Sequence, residues 1–311
     1  MIEITQLTKR FGKVDVVANL NLNLVPGEIL GFLGPNGAGK STTMKMLTGF
    51  LEPSSGSVKI FGHDVQKDSL AAQALIGYLP EGAPAYDEMT TTAYLGFIAE
   101  VRGYFGAVNQ QRVSEVVAKL SLQSVLHQKI ETLSKGFRRR VGLAQAIIHD
   151  PKVLILDEPT DGLDPNQKHE VRALIHSLSK DKIVIISTHI LEEVSAVCNR
   201  VIIISEGRLL SDCSPSDLEK KSKFHGAVSL EFSNDSDLPT LSKDLLALVG
   251  VSEVQIVDGG LTIYPEEGAE PLSTILNRYF SKETAYKPTG QYLEKGKLDD
   301  VFRQITLGEI A

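Results

Sequence analysis

Cysteine is scarce: the 311 residues hold two, Cys198 and Cys213, with neither CxxC nor Cys/His ligand spacing. A redox pair or a thiolate metal site is therefore not indicated, and a reduced, cytosolic protein is the expectation. Positive charge is in deficit, with 32 Lys and Arg against 39 Asp and Glu and a net charge of -7. Broad binding to DNA, RNA or anionic lipid needs a dominant positive field, so no nucleic-acid partner is expected, although a local basic cluster remains compatible. Long apolar runs are missing too. Stretches such as IVII (183–186) and VIII (201–204) have the length of buried strands and fall far short of the ~18 residues of a membrane span. The opening MIEITQLTKRF alternates like a strand, so no signal peptide is expected. There is no internal repeat or low-complexity tract, and 42% hydrophobic residues suffice for a large core in one or two domains.

What is present is an alternation of strand and helix patterns. Residues 1–33 read as short strands, with a turn at Phe11, Gly12 and Lys13 and a period-two alternation in NLNLNL (19–24) that suits a sheet with one buried face. Residues 83–150 change to helical spacing in TTAYLGFIAEVRGYF and QQRVSEVVAKLSL. KVLILDEP and KIVIISTH then read as buried strands separated by a helix, and RVIIISEGRLL as a hairpin-like pair. That order predicts an α/β fold with a mostly parallel sheet covered on both faces and a helical insertion. A Ser- and Lys-rich stretch at 211–223 suggests a boundary, placing one domain at 1–220 and a small α+β domain at 224–311.

GPNGAGKS (34–41) matches G-x-x-x-x-G-K-[ST] between a predicted strand and a predicted helix. Gly34, Gly37 and Gly39 let the backbone curl so that successive N–H groups face phosphate oxygens. Lys40 is expected to reach the β and γ phosphates and Ser41 to place its hydroxyl on Mg2+. Pro35, Asn36, Ala38 and Thr42 complete the candidate nucleotide contacts. An ordinary Gly-rich turn is the competing reading, and the strand-loop-helix context argues against it. The chain is expected to bind a nucleoside triphosphate.

KVLILDEPTDGLDP supplies acidic partners: an apolar strand delivers Asp157 as a candidate Mg2+ ligand and Glu158 as the group that polarises an attacking water. Asp-Glu-Pro ending a strand and capping a helix is the plainer alternative, weakened by the phosphate loop. His189 follows the 183–186 run, and strand C-terminal ends are where open α/β sheets place ligands. A structural histidine is the competing reading there, and a hydrogen bond to the γ phosphate the functional one.

GPNGAGKSTT, LSKGF, VLILDEP, DGLD and STH, in that order, resemble the nucleotide-binding subunit of an ABC transporter over about residues 1–215. The resemblance implies a P-loop NTPase fold, with a mixed sheet and an N-terminal antiparallel β part, and an ATP hydrolase with ATP and Mg2+ as its small molecules. It implies that Leu133, Ser134, Lys135, Gly136 and Phe137 form the family's signature and that Phe11 stacks on adenine. Asp164 would lie on the loop that crosses the dimer interface, and Glu81 on the loop that senses the membrane partner and contacts Mg2+. Because phosphate loop and signature lie at opposite ends of such a subunit, two copies would close head to tail on two ATP molecules. A separate integral membrane permease would then make the protein peripheral on the inner face of the membrane.

Three departures refine the resemblance: Glu81 replaces the usual Gln, and Lys135 and Phe137 replace Gly and Gln of the signature. These, with LDDVFRQIT (298–306), are similar to ABC-2 type exporters, which include drug and antibiotic resistance, sodium export and gliding motility systems. A soluble mechanical or regulatory ATPase is the alternative, though such relatives usually carry paired ATPase units or long coiled-coil insertions. Arg138, Arg139 and Arg140 follow the signature directly. They span more than half a helical turn, so they cannot all face one phosphate, and at least one is expected to be solvated or interdomain. Tyr264, Tyr279, Tyr286 and Tyr292 in the second domain are scattered and are expected to serve packing.

Overall fold

The computed structural model describes residues 1–82, 86–188, 190–232, 237–257, 259–282 and 286–307. The chain divides into two compact units, Met1–Pro215 and Ser216–Ala311. The first unit runs β1 (Ile2–Phe11), β2 (Val14–Leu24), β3 (Ile29–Leu33), α1 (Lys40–Leu47), β4 (Ser55–Ile60), β5 (His63–Asp64), α2 (Ser69–Ala74) and β6 (Ile76–Leu79). It continues through α3 (Thr91–Val101), α4 (Gly106–Lys119), α5 (Lys135–Ile147), β7 (Val153–Asp157), α6 (Pro165–Leu178), β8 (Ile183–Ser187), α7 (Leu191–Val197), β9 (Arg200–Ser205) and β10 (Arg208–Cys213).

Two sheets organise this unit. The antiparallel one has order β2-β1-β4-β5; the other has order β10-β9-β3-β8-β7-β6, parallel except for the β9/β10 hairpin. The period-two reading of residues 19–24 holds: Leu20, Leu22 and Leu24 are buried while Asn19, Asn21 and Asn23 are exposed. Their apolar side chains share one core with Met44, Met46 and Leu47 of α1 and with Phe32, Ile155, Ile185 and Ile202 of the second sheet. β7 and β8 are buried at every residue, as expected of strands covered on both faces. α1 is thus held between two sheets, and its N-terminus emerges at the C-terminal end of β3.

The helical insertion is α3, α4 and α5, where apolar spacing places Tyr94, Leu95, Val113, Val116 and Val117 inside. Thr90 caps α3 by accepting from the Ala93 N–H, and Ser134 caps α5 by accepting from the Phe137 N–H at 3.3 Å. Strands β4 and β6 have no separate signal in the sequence reading, since their four to six residues lie among turns.

The second unit carries most of α8 (Pro215–Lys220), then β11 (Val228–Glu231), α9 (Leu238–Leu246), β12 (Val251–Val257), β13 (Gly260–Pro265), α10 (Leu272–Phe280), β14 (Gly290–Leu293) and α11 (Leu298–Leu307). Its antiparallel sheet has order β12-β13-β11-β14. Leu241, Leu245, Ile275 and Leu276 of the helices pack on Val228, Leu230, Leu261 and Ile263. The fourth strand, β14, escapes a pattern-based reading because its residues are mostly exposed and lack apolar alternation. Tyr264 is buried and donates to Gln255 Oε1 at 3.0 Å, whereas Tyr292 is 54% exposed.

Candidate nucleotide site

Residues 34–39 connect β3 to α1 and can fold as they do because glycine stands where other residues would not fit. Gly37 and Gly39 have φ of +82° and +102°, in the left-handed region that favours glycine. Gly34 has no such φ, but a Cβ there would stand 2.5 Å from the Ile204 carbonyl oxygen. Ala38 is buried, and its carbonyl accepts from the Gly207 N–H at 3.1 Å, which fastens the loop to the β9/β10 turn. Pro35, Asn36 and Gly37 are exposed on the outer bend, while Ser41 and Thr42 are half-buried in the first turn of α1. Lys40 Nζ donates to the carbonyls of Gly34 at 2.6 Å and Pro35 at 3.1 Å, so the ammonium lies across its own loop.

Burial lowers the Lys40 ammonium below its ordinary value, and the charges of Glu158, Asp157 and Glu81 act against that. Strand order explains this convergence, since β3, β8, β7 and β6 are successive neighbours and end on the same side. Asp157, the last residue of β7, is 4% exposed and accepts a short hydrogen bond from Ser187 Oγ of β8. Glu158 leaves the strand with φ +51° and donates its N–H to the Ser187 carbonyl at 3.0 Å. Glu81 is exposed two residues past β6. Tyr78, inside that strand, has its phenol pushed up to about 12 by burial and by the Asp157 and Glu81 charges. His189 lies outside the described residues, so its expected phosphate contact has no geometry here.

The signature residues form the entry to α5. Ser134 is exposed as its cap, Lys135 is exposed, and Gly136 is buried so closely that a Cβ would meet Gln167 Oε1 at 2.5 Å. Lys135 Nζ pairs with Asp161 Oδ2 at 2.8 Å, on the loop that leads to Asp164. Asp164 itself caps α6, accepting from the Gln167 N–H at 2.9 Å. Phe11 ends β1 half-exposed, with Lys9 Nζ 5.2 Å from its ring centre.

Of the arginine run, expected to hold at least one solvated or interdomain side chain, Arg138 is half-buried while Arg139 and Arg140 are buried. Arg138 donates to the carbonyls of Ile130 and Glu131, at 3.4 and 3.0 Å. Arg140 is 8% exposed and pairs with Glu170 at 2.7 Å. Arg139, 6% exposed, donates to the carbonyls of Pro80, Asp157 and Glu158. The helical insertion packs against the sheet here, so a run of charge that reads as surface becomes internal.

Glu193 is a second residue that sequence reasoning passes over. It is 4% exposed, accepts from Thr160 Oγ1 and from Thr188 Oγ1, and pairs with Lys168 at 3.4 Å. It thereby joins the loops that follow β7 and β8. A Glu-Glu pair at a helix start reads as ordinary exposed capping, and only the fold turns one of them inward.

Comparison with known proteins adds to this geometry. The family model described as "ABC transporter" matches residues 17–161. A bacitracin transport ATP-binding protein of Bacillus licheniformis is 39% identical over 236 residues, which is 75% of this chain and 76% of that protein. A Nod factor export ATP-binding protein of Paraburkholderia xenovorans is 31% identical over 306 residues, 98% of this chain and 96% of that one. Among solved structures, an ATP-binding subunit of an ABC transporter aligns with TM-score 0.66 and 27% identity, over 71% of this chain and 92% of that chain.

Proposed function

The chain belongs to the ABC transporter family as an ATP-binding, ATP-hydrolysing subunit, and from that premise we propose that two copies close on two ATP molecules to drive export through a separate membrane permease. The observation that carries the catalytic reading is that β3, which leads into the loop 34–39 and Lys40, and β7 and β6, which lead to Asp157, Glu158 and Glu81, end on the same side of one parallel sheet. In this reading the loop 34–39 and Lys40 bind the phosphates, Phe11 supports the adenine ring, and Glu158 orients and polarises the water that attacks the γ phosphate. His189 is proposed to donate to the same phosphate. Ser134, Lys135, Gly136 and Asp164 are proposed to serve the ATP held by the second copy.

Among the described residues no cluster of three or more His, Cys, Asp or Glu is gathered to hold a metal. Mg2+ bound mainly by nucleotide phosphates needs only one or two protein oxygens, and the hard donors of Ser41, Asp157 and Glu81 suit it. When bound there, the ion would neutralise charge on the β and γ phosphates.

A permease partner is supported by a groove of mixed apolar and polar lining on the first unit, at which two large apolar side chains are exposed. A groove of about 660 Å³ is lined by Phe50, Leu70, Ile98, Val101, Arg102 and Tyr104, and Phe50 and Leu70 are 78% and 83% exposed. No helix among the described residues is long and apolar enough to cross a membrane, so membrane association in this reading is peripheral, on the cytoplasmic face. The name of the Nod factor relative supports export as the direction, and that of the bacitracin relative supports transport.

The test is Glu158→Gln, which leaves the phosphate loop untouched. The variant is expected to bind ATP, lose turnover by about a hundredfold or more, and accumulate an ATP-dependent dimer in size-exclusion chromatography with light scattering. A variant that turns over ATP as the parent does, and stays monomeric with ATP, overturns the assignment.

A further inference from the structure

We infer that Arg139 is a positioning residue for ATP hydrolysis, clasping the main chain at the ends of the two strands that lead to Glu81 and to the Asp157–Glu158 pair. The inference rests on the ATPase reading above and deepens it. Arg139 lies in the second turn of α5, five residues after Ser134. Its Nη1 donates to the Pro80 carbonyl at 3.2 Å, and its Nη2 donates to the carbonyls of both Asp157 and Glu158. Pro80 directly follows β6 and precedes Glu81, and β6 and β7 are parallel neighbours with Leu79 opposite Leu156. One planar fork therefore spans two adjacent strand ends, a task that suits guanidinium geometry and not a single ammonium.

The held backbone needs holding. Glu158 has φ +51°, a conformation that is unfavourable for a residue with a Cβ and persists only where its surroundings enforce it. The Ser187 carbonyl takes the Glu158 N–H at 3.0 Å, and the Glu158 carbonyl takes the Asp161 N–H at 3.1 Å as well as Arg139 Nη2. Arg139 also bears a cost: it is 6% exposed and its buried Nε–H has no hydrogen-bond partner among the described residues. An apolar side chain of similar length would fill the space without that desolvation. What it could not do is fix the direction in which the chain leaves β7, and with it the place from which the Glu158 carboxylate acts. Arg138 and Arg140 bond elsewhere, to the 130–131 carbonyls and to Glu170, so the role belongs to one arginine of the run.

Loosening a strand end displaces the water-polarising group while leaving the loop 34–39 and Lys40 in place. The chemical step should suffer and nucleotide affinity should not, because sub-ångström placement governs the former. The experiment compares the full chain with Arg139→Met, which keeps an apolar stem, Arg139→Gln, which keeps a neutral donor, and Arg139→Lys, which keeps the charge. Phosphate release is measured per ATP-binding chain, with the number of competent chains counted by titration with a fluorescent ATP analogue. The expected result for Met is a kcat lower by about 10- to 100-fold with nucleotide Kd changed by less than about threefold, and partial recovery in Gln or Lys. A kcat per competent chain within about twofold of the parent in the Met variant overturns the inference, whatever happens to its melting temperature. So does the failure of all three variants to yield ATP-binding protein, since the residue would then serve the fold alone. A parent chain with no turnover would instead overturn the ATPase reading.

Discussion

Replacing Gly34, Gly37 and Gly39 by alanine, one at a time, separates two costs that the phosphate-loop pattern hides. At Gly37 the added Cβ meets nothing within 4 Å, so the penalty is conformational alone, from φ +82°. Holding a side-chain-bearing residue in the left-handed region costs about 1–2 kcal/mol. At Gly34 the φ is ordinary but the Cβ would stand 2.5 Å from Ile204 O and 2.9 Å from Ile204 Cγ1, in the middle of the β3/β9 packing. Relieving such an overlap costs about 1–3 kcal/mol. Gly39 carries both penalties, with φ +102° and a Cβ 2.5 Å from Val16 O, so the sum is about 2–5 kcal/mol. The order of stability loss is therefore expected to be Gly39 first, Gly34 next and Gly37 last. Calorimetry without nucleotide measures it, using the transition that ATP raises, because a ligand of the first unit stabilises only that unit. For the unit Met1–Pro215, each kcal/mol lowers Tm by about 2–4 °C, which gives roughly 2–8 °C for Gly37→Ala and roughly 4–20 °C for Gly39→Ala. A Gly37→Ala variant that melts as low as Gly39→Ala would refute the reasoning, since it would mean that the Val16 contact costs nothing.

The pH dependence of stability should carry a contribution from His149. Burial, with the Arg102 charge adding to it, pushes its imidazole down to about 4, and its Nε2 donates to the Ile76 carbonyl at 2.9 Å. The unfolded chain protonates near the ordinary value of 6.5 and the folded chain does not. Stability is therefore complete above that value and falls as pH drops toward 4, by about 2 kcal/mol at pH 5. His149→Gln should flatten the change in Tm between pH 7 and pH 5, and an unaltered slope would remove His149 as its cause. The Lys135–Asp161 pair is 2.8 Å long but 67% and 51% exposed, so solvent screening limits it. A double-mutant cycle of Lys135→Met and Asp161→Asn should yield a coupling of about 0.2–1 kcal/mol in stability. A value well above that would show that the two are held by more than a surface ion pair.

Local pattern supplied most of the candidate nucleotide site. Strand-loop-helix order and the spacing of Gly34, Gly37, Gly39 and Lys40 are short-range properties, because φ, turn chemistry and apolar period depend on neighbours a few residues away. The α/β fold and the buried strands at 153–157 and 183–187 were legible for the same reason. The partners of a side chain were not legible when they lie far along the chain. Arg139 reaches Pro80 across 59 positions, and Glu193 reaches Thr160 across 33. Such contacts depend on the order β10-β9-β3-β8-β7-β6 and on how α5 packs across it, which no local period encodes. The sequence shows that three consecutive arginines cannot share one phosphate, and tertiary packing decides the partner of each. The candidate residues of the site are a matter of local sequence; what holds them in place is a matter of the fold.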